Sequence, residues 1–247
     1  MNTAIILIAA FAAGAINSIA GGGTLLSFPA LVWIGRDPIL ANATNAVALW
    51  PGSFSAMVGF RDELRGLERW LWLLTIPSLV GGALGAVLLL RTSTKTFSHL
   101  VPFLILGATL LLAAQEIISR RLALVARGKR WIVFAFVFQF FVGVYGGYFG
   151  AGMGILMLAA LGLIGLTDLH QMNGLKNLLA ICINGIAAVW FAISGAVLWR
   201  DAVIMAIAAI VGGYAGARVA RRLGRKFVRG AVIVIGLTMT VALFLRR

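Results

Sequence analysis

Two glycine-rich stretches carry the chemistry that this chain can offer. Gly21-Gly22-Gly23-Thr24 interrupts an apolar run over 3–34, and Gly146, Gly147, Gly150, Gly152 and Gly154 interrupt another over 131–166. Consecutive glycines lower helix propensity by roughly 1 kcal/mol each relative to alanine, so the chain is expected to break at both places. Lipid tolerates a broken backbone only where protein or a water-filled cavity satisfies the freed groups. A helix restarting after such a break, at 24–34 and again at 154–166, offers unpaired N–H groups and about half a positive charge. Two such ends make an anion site without any charged side chain, and glycine lets an anion come close to the backbone. A second reading stays open, in which the glycines only allow helices to pack closely. Gly81-x-x-x-Gly85 and Gly212-x-x-x-Gly216 lie in continuous apolar runs and are read as packing motifs.

The candidate binding residues are Gly21, Gly22, Gly23 and Thr24 in the first stretch, Gly150, Gly152 and Gly154 in the second, and the pairs around Asn45 and Asn177. Thr44-Asn45 and Lys176-Asn177 recur at matching positions. An amide can donate two hydrogen bonds to an oxyanion or hold a broken backbone. Lys176 is an ionisable residue within an apolar segment, where a charge marks function by default; snorkelling to the surface is the alternative. Asn17, Gln139, Tyr145 and Asn184 are weaker polar candidates, and Trp50 and Trp190 are read as core.

What is missing also narrows the chemistry. Asp37, Asp62, Glu63, Glu68, Glu116, Asp168 and Asp201 all fall at segment ends or in loops. A cation transporter or proton relay usually places an acid within a span. Cys182 is the single cysteine, and His99 and His170 sit at segment ends, so neither a metal cluster nor a cofactor is expected. Without paired acids or a Ser-His-Asp set, an enzyme is not expected either.

The surrounding elements must be membrane helices. The chain is 62% hydrophobic and 11% charged, against about 25% charged in soluble domains. Its formal net charge of +14 comes from short loops between apolar segments. That is the pattern of membrane topology, so no nucleic-acid partner is expected. The N-terminal apolar run has no basic flank, and residues 1–20 are read as structure, not as a signal peptide.

Helices are expected over 39–60, 70–90, 97–119, 169–199, 202–218 and 228–245, besides the two broken segments. Landmarks recur at one period. Gly14 and Gly143 are 129 positions apart, as are Gly21 and Gly150; Gly81 and Gly212 are 131 apart, and Asn45 and Asn177 are 132 apart. This is an internal duplication, 1–122 and 123–247. The basic loops 120–130 and 218–229 both want the cytoplasm. They share a side only if the second broken segment dips in and returns, or crosses twice. Each half then has an odd number of full crossings, and the halves are inverted. The expected fold is an all-α, multi-pass integral membrane protein. It has two inverted repeats, each with a Gly-rich broken or re-entrant helix plus about three spanning helices.

The segment Ala20-Gly-Gly-Gly-Thr-Leu-Leu-Ser-Phe-Pro29, Thr44-Asn45 and their second-half counterparts resemble the sulfite exporter TauE/SafE family. The resemblance covers essentially the whole chain. It departs at Leu158, which stands where a counterpart of Pro29 would be. It implies transport of sulfite, sulfoacetate or related organosulfonates across a bacterial-type cytoplasmic membrane, coupled to a proton or ion gradient. The residues themselves give an anion-suited site without carboxylates. A secondary transporter is the leading reading and an anion channel on the same dipoles is the alternative; the lipid bilayer and a small anion are the expected partners.

The charge pattern makes a direct prediction. Single cysteines placed in loop 120–130 and in loop 218–229, in a Cys182→Ser background, should both resist membrane-impermeant thiol reagents applied from outside. Labelling of one loop alone would rule out the inverted arrangement.

Overall fold

A computed structural model describes residues 2–19, 22–58, 64, 67–122, 129–166, 168–223 and 225–245. Gly21, residues 123–128 of the central basic loop and Gly224 of the second lie outside the described residues. The described residues form ten helices and no strand: α1 (Asn2–Ile19), α2 (Thr24–Trp33), α3 (Pro38–Val58), α4 (Glu68–Arg91), α5 (Thr94–Leu122), α6 (Lys129–Tyr148), α7 (Met153–Leu163), α8 (Leu169–Ile193), α9 (Trp199–Leu223) and α10 (Arg225–Leu245). Among the described residues, three helices are long and apolar enough to cross a membrane, at Glu68–Arg91, Thr94–Ala114 and Gln171–Ile193. Ile8, Trp72, Ile76, Phe141, Ile193 and Ile207 point outward with more than half their surface exposed. Apolar surface on that scale needs lipid around it.

Both glycine-rich stretches break the helix as their propensity demands. α1 ends at Ile19 and α2 restarts at Thr24; α6 ends at Tyr148 and α7 restarts at Met153. In each case the short helix packs against the helix before it. One expected helix divides further. The apolar run over 169–199 ends as a helix at Ile193, and α9 starts at Trp199. Gly195 is the cause. It takes φ +72°, its N–H donates to Ala192 O at 3.3 Å, and the Ala196 N–H donates to Phe191 O at 3.1 Å. This left-handed closure satisfies the last carbonyls and stops the helix. The Ser194-Gly195 pair was its sequence signal.

Packing follows a repeating scheme. α1 lies along α9 and α6 along α4; α9 lies on α3 and α4 on α8; α3 meets α8 and α5 meets α10. Moving every helix five places along the chain interchanges the first two contacts, interchanges the next two, and maps α3–α8 and α5–α10 onto themselves. The glycine landmarks make the closest approaches. A Cβ on Gly14 would strike the Ala209 carbonyl, and one on Gly143 would meet the Ser78 carbonyl. A Cβ on Gly212 would strike the Phe11 carbonyl, and one on Gly81 the Phe140 carbonyl. These four contacts repeat at the offsets of the sequence landmarks. Gly85 likewise lies on the Val144 carbonyl, while Gly216 is outside the residues whose surroundings are described. Bringing backbone to backbone in this way gains dispersion contacts and is how membrane helices associate without a hydrophobic drive between them.

Gly85→Ala and Gly212→Ala should therefore destabilise the fold by about 1–3 kcal/mol, the usual cost of overpacking. Melting in detergent or nanodiscs checks this. Unchanged melting of both variants would show that these crossings are loose.

Candidate functional site

The two tips converge on one helix. A Cβ on Gly22 would lie 3.9 Å from Leu112 and one on Gly152 would lie 3.4 Å from Ala108, both on α5. These contacts are one turn apart, roughly 5 Å along the axis, and Ala108 is halfway along α5. A ring pair also joins the tips: Phe28 of α2 meets Phe149 edge-on, with centroids 5.4 Å apart. Phe97 and Tyr148 extend this aromatic cluster.

At the first tip, neutral groups hold the break. The Gly23 N–H donates to Asn17 Oδ1 at 2.7 Å, tying the restart back to α1. The Gly23 carbonyl accepts from the N–H of Leu26 at 3.0 Å and of Ser27 at 3.2 Å, and from Ser27 Oγ at 3.2 Å. Ser27 Oγ also bonds Asn45 Oδ1. Asn45 is only 2% exposed, and its Nδ2 donates to no acceptor among the described residues. The Thr24 N–H is likewise without a partner among them. This leaves an amide donor and a helix N-terminus at one place.

The second tip is built differently. Gly152 takes φ +74° at the N-cap of α7, a left-handed conformation that any other residue reaches only with strain. Tyr145 Oη donates to the Ala151 carbonyl at 2.6 Å. Asn42 of α3 donates from Nδ2 to the Tyr148 carbonyl at 3.0 Å, so a first-half helix closes the second-half break. An unmet carbonyl there would cost about 1–3 kcal/mol. The N–H groups of Gly152 and Gly154 have no partner among the described residues. Lys176 runs its methylenes past Gly154, and its Nζ donates to Asn173 Oδ1 at 3.0 Å. Its methylenes therefore pass the first turn of α7 while its ammonium is held by Asn173.

The predicted residues divide accordingly. Gly22, Gly23, Thr24 and Asn45 gather at the first tip, and Gly150, Gly152, Gly154 and Lys176 at the second. Asn177 is half-buried and bonds no group among the described residues, unlike its supposed counterpart Asn45. The two asparagines are not equivalent in their surroundings. Asn184 Oδ1 lies beside Gly150. Trp50 is packed as read, donating from Nε1 to the Ile181 carbonyl at 3.1 Å, but Trp190 faces outward and is not core. Asn42, within the helix expected over 39–60, is a residue that sequence reasoning missed; its i−3 spacing from Asn45 was the available signal.

Away from the tips, a groove of about 220 Å³ is lined by Ile76, Pro77, Val80, Phe136, Val137 and Phe140. It offers only hydrocarbon and lies between α4 and α6, so it is no anion site. No group of three His, Cys, Asp or Glu side chains comes together among the described residues.

Ten helices with outward apolar faces among the described residues define a helical integral membrane protein. The match to the family described as Sulfite exporter TauE/SafE extends over residues 6–243. The chain belongs to that family of membrane transporters. It is similar to a "Probable membrane transporter protein" of Haemophilus influenzae, 30% identical over 240 residues, 96% of this chain and 92% of the relative. It is 28% identical over 243 residues to "Probable membrane transporter protein ORF9" of Sinorhizobium sp, covering 97% of this chain and 91% of the relative. It is also 28% identical over 243 residues to "Probable membrane transporter protein YfcA" of Escherichia coli K12, covering 97% and 88%. No solved structure matches.

Proposed function

We propose that the chain is a secondary transporter that moves a small sulfur-containing anion across the cytoplasmic membrane by alternating access. Sulfite, sulfoacetate and related organosulfonates are the substrate class, in keeping with the family description. The anion binds between the N-termini of α2 and α7. The single observation carrying this reading is the approach of Gly22 and Gly152 to α5, one turn apart, each at the start of a helix with N–H groups that have no partner among the described residues. Half-helix dipoles and free N–H groups suit a sulfonate or sulfite oxygen. Lys176 supplies a full charge on one side of the anion, and the Asn45 amide a directed donor on the other.

The halves 1–122 and 123–247 act as inverted repeats, with α1–α2 and α6–α7 as re-entrant pairs. Two features support this: the helix contacts that interchange on moving five helices along, and the paired glycine approaches of Gly14 with Gly143 and Gly81 with Gly212. Alternating access in such folds is a rocking of one repeat against the other around a fixed central site. A proton or ion gradient drives the cycle.

Purified protein in proteoliposomes should show saturable uptake and counterflow of sulfite or a sulfonate. Lys176→Ala and Lys176→Arg should each weaken binding at near-normal expression, because a bidentate guanidinium does not reproduce a point-charge ammonium. Thermal stabilisation across sulfite, sulfonates, sulfate and carboxylates identifies the ligand, since bound ligand raises apparent stability. Steady current without counterflow would make the protein a channel. Unchanged affinity in Lys176→Ala would mean that the lysine only reaches for the membrane surface.

A further inference from the structure

Arg36 and Asp201 join the halves on one face of the molecule. Arg36 Nε lies 2.8 Å from Asp201 Oδ2, and a second guanidinium nitrogen lies 3.4 Å from Oδ1. Arg36 follows α2, and Asp201 sits in the first turn of α9. A second tie stands beside this pair: the Leu198 N–H donates to Thr44 Oγ1 on α3 at 3.0 Å. The turn after α2 is thus fastened to the second half, and the turn before α9 to the first.

On the opposite face the sequence offers no counterpart of this acid–base pair at the matching positions. Asp37 caps α3 and Asp168 caps α8, 131 positions apart, the same offset as Gly81 and Gly212. At that offset, Asp201 corresponds to Trp70 and Arg36 to Thr167. Neither carries a charge. Trp70 instead meets Arg69 of its own helix, with the guanidinium carbon 5.7 Å from the ring centroid.

We propose that the Arg36–Asp201 pair is a gate, which closes the face opposite the basic loops while it is formed. This rests on the alternating-access reading. α2 runs from the first tip directly to Arg36, so a movement at the tip reaches the pair through one helix. α9, which carries Asp201, lies along α1, the other arm of the same break. The Asp201 side chain is 7% exposed and that of Arg36 41%. Water therefore reaches the guanidinium, while the Asp201 carboxylate is dry, so opening the pair requires α9 to move and bring that carboxylate to water. Positive-inside topology places this face outside the cell.

Ala48 offers a reporter. It is buried on α3, one turn past Asn45 and further from the gate. Ala48→Cys in a Cys182→Ser background, in right-side-out and inside-out vesicles, is exposed to a membrane-impermeant maleimide. With the pair intact, labelling from outside should be slow. Arg36→Gln and Asp201→Asn should each speed it at least tenfold, and Arg36→Asp combined with Asp201→Arg should return it to the slow rate. A pair that only stabilises the fold would lower the melting temperature of both single variants and leave the labelling rate unchanged, which overturns the gate. If instead the parent reacts equally fast from both sides, alternating access itself fails, and the gate with it.

Discussion

In a bilayer, every N–H and C=O freed by a helix break needs a partner from the protein, and this constraint organises the molecule around its two tips. The first break is closed by Asn17, Ser27 and Asn45, all from its own half. The second borrows Asn42 from the other half for the Tyr148 carbonyl and uses Tyr145 for that of Ala151. Each bond is worth only about 1 kcal/mol net, yet leaving its acceptor bare in lipid costs more. Completing these bonds leaves donors at Thr24, Asn45, Gly152 and Gly154 without a partner among the described residues.

The tips share a geometry and differ in chemistry. The first presents a neutral amide and hydroxyl, the second a lysine beside a left-handed glycine. Pro29 and Ser27 stand in the first short helix, where the second has Leu158 and Leu156 at the matching positions. The scaffold around them has diverged less, because Gly14, Gly143, Gly81 and Gly212 each face a backbone carbonyl that tolerates no side chain. The same packing constraint acts on all four glycines, while the residues at the two tips differ.

Much of this was legible in the sequence, for physical reasons. Dense glycine weakens a helix, so the breaks near Gly22 and Gly152 were readable, although Gly81-Gly82 and Gly212-Gly213 stay helical where they are packed against backbone. Repeating glycines gave the offset, and the structure sets those same glycines at matching crossings. Two features were not legible. The bond from Asn42 to Tyr148 joins residues 106 positions apart, and no local pattern reports such a pairing. The pairing of Asn45 with Asn177 rested on an offset of 132 where the flanking Asp37 and Asp168 repeat at 131. One residue on a helix turns a side chain by about 100°, enough to give the two asparagines different neighbours. The end of α8 at Ile193 was visible in Ser194-Gly195 but was outweighed by the apolar run around it.

The anion site at the tips is tested most directly by measuring ligand-induced stabilisation in Gly22→Ala and Gly152→Ala. Neither added methyl group meets backbone closer than 3.4 Å, so the main penalty is the positive φ, +98° and +74°, worth roughly 1–2 kcal/mol. If the backbone N–H groups bind the anion, both variants melt lower than the parent by no more than this strain accounts for, and gain little or no stability when ligand is added. If both melt lower but shift with ligand as far as the parent does, the glycines serve packing and the anion binds elsewhere.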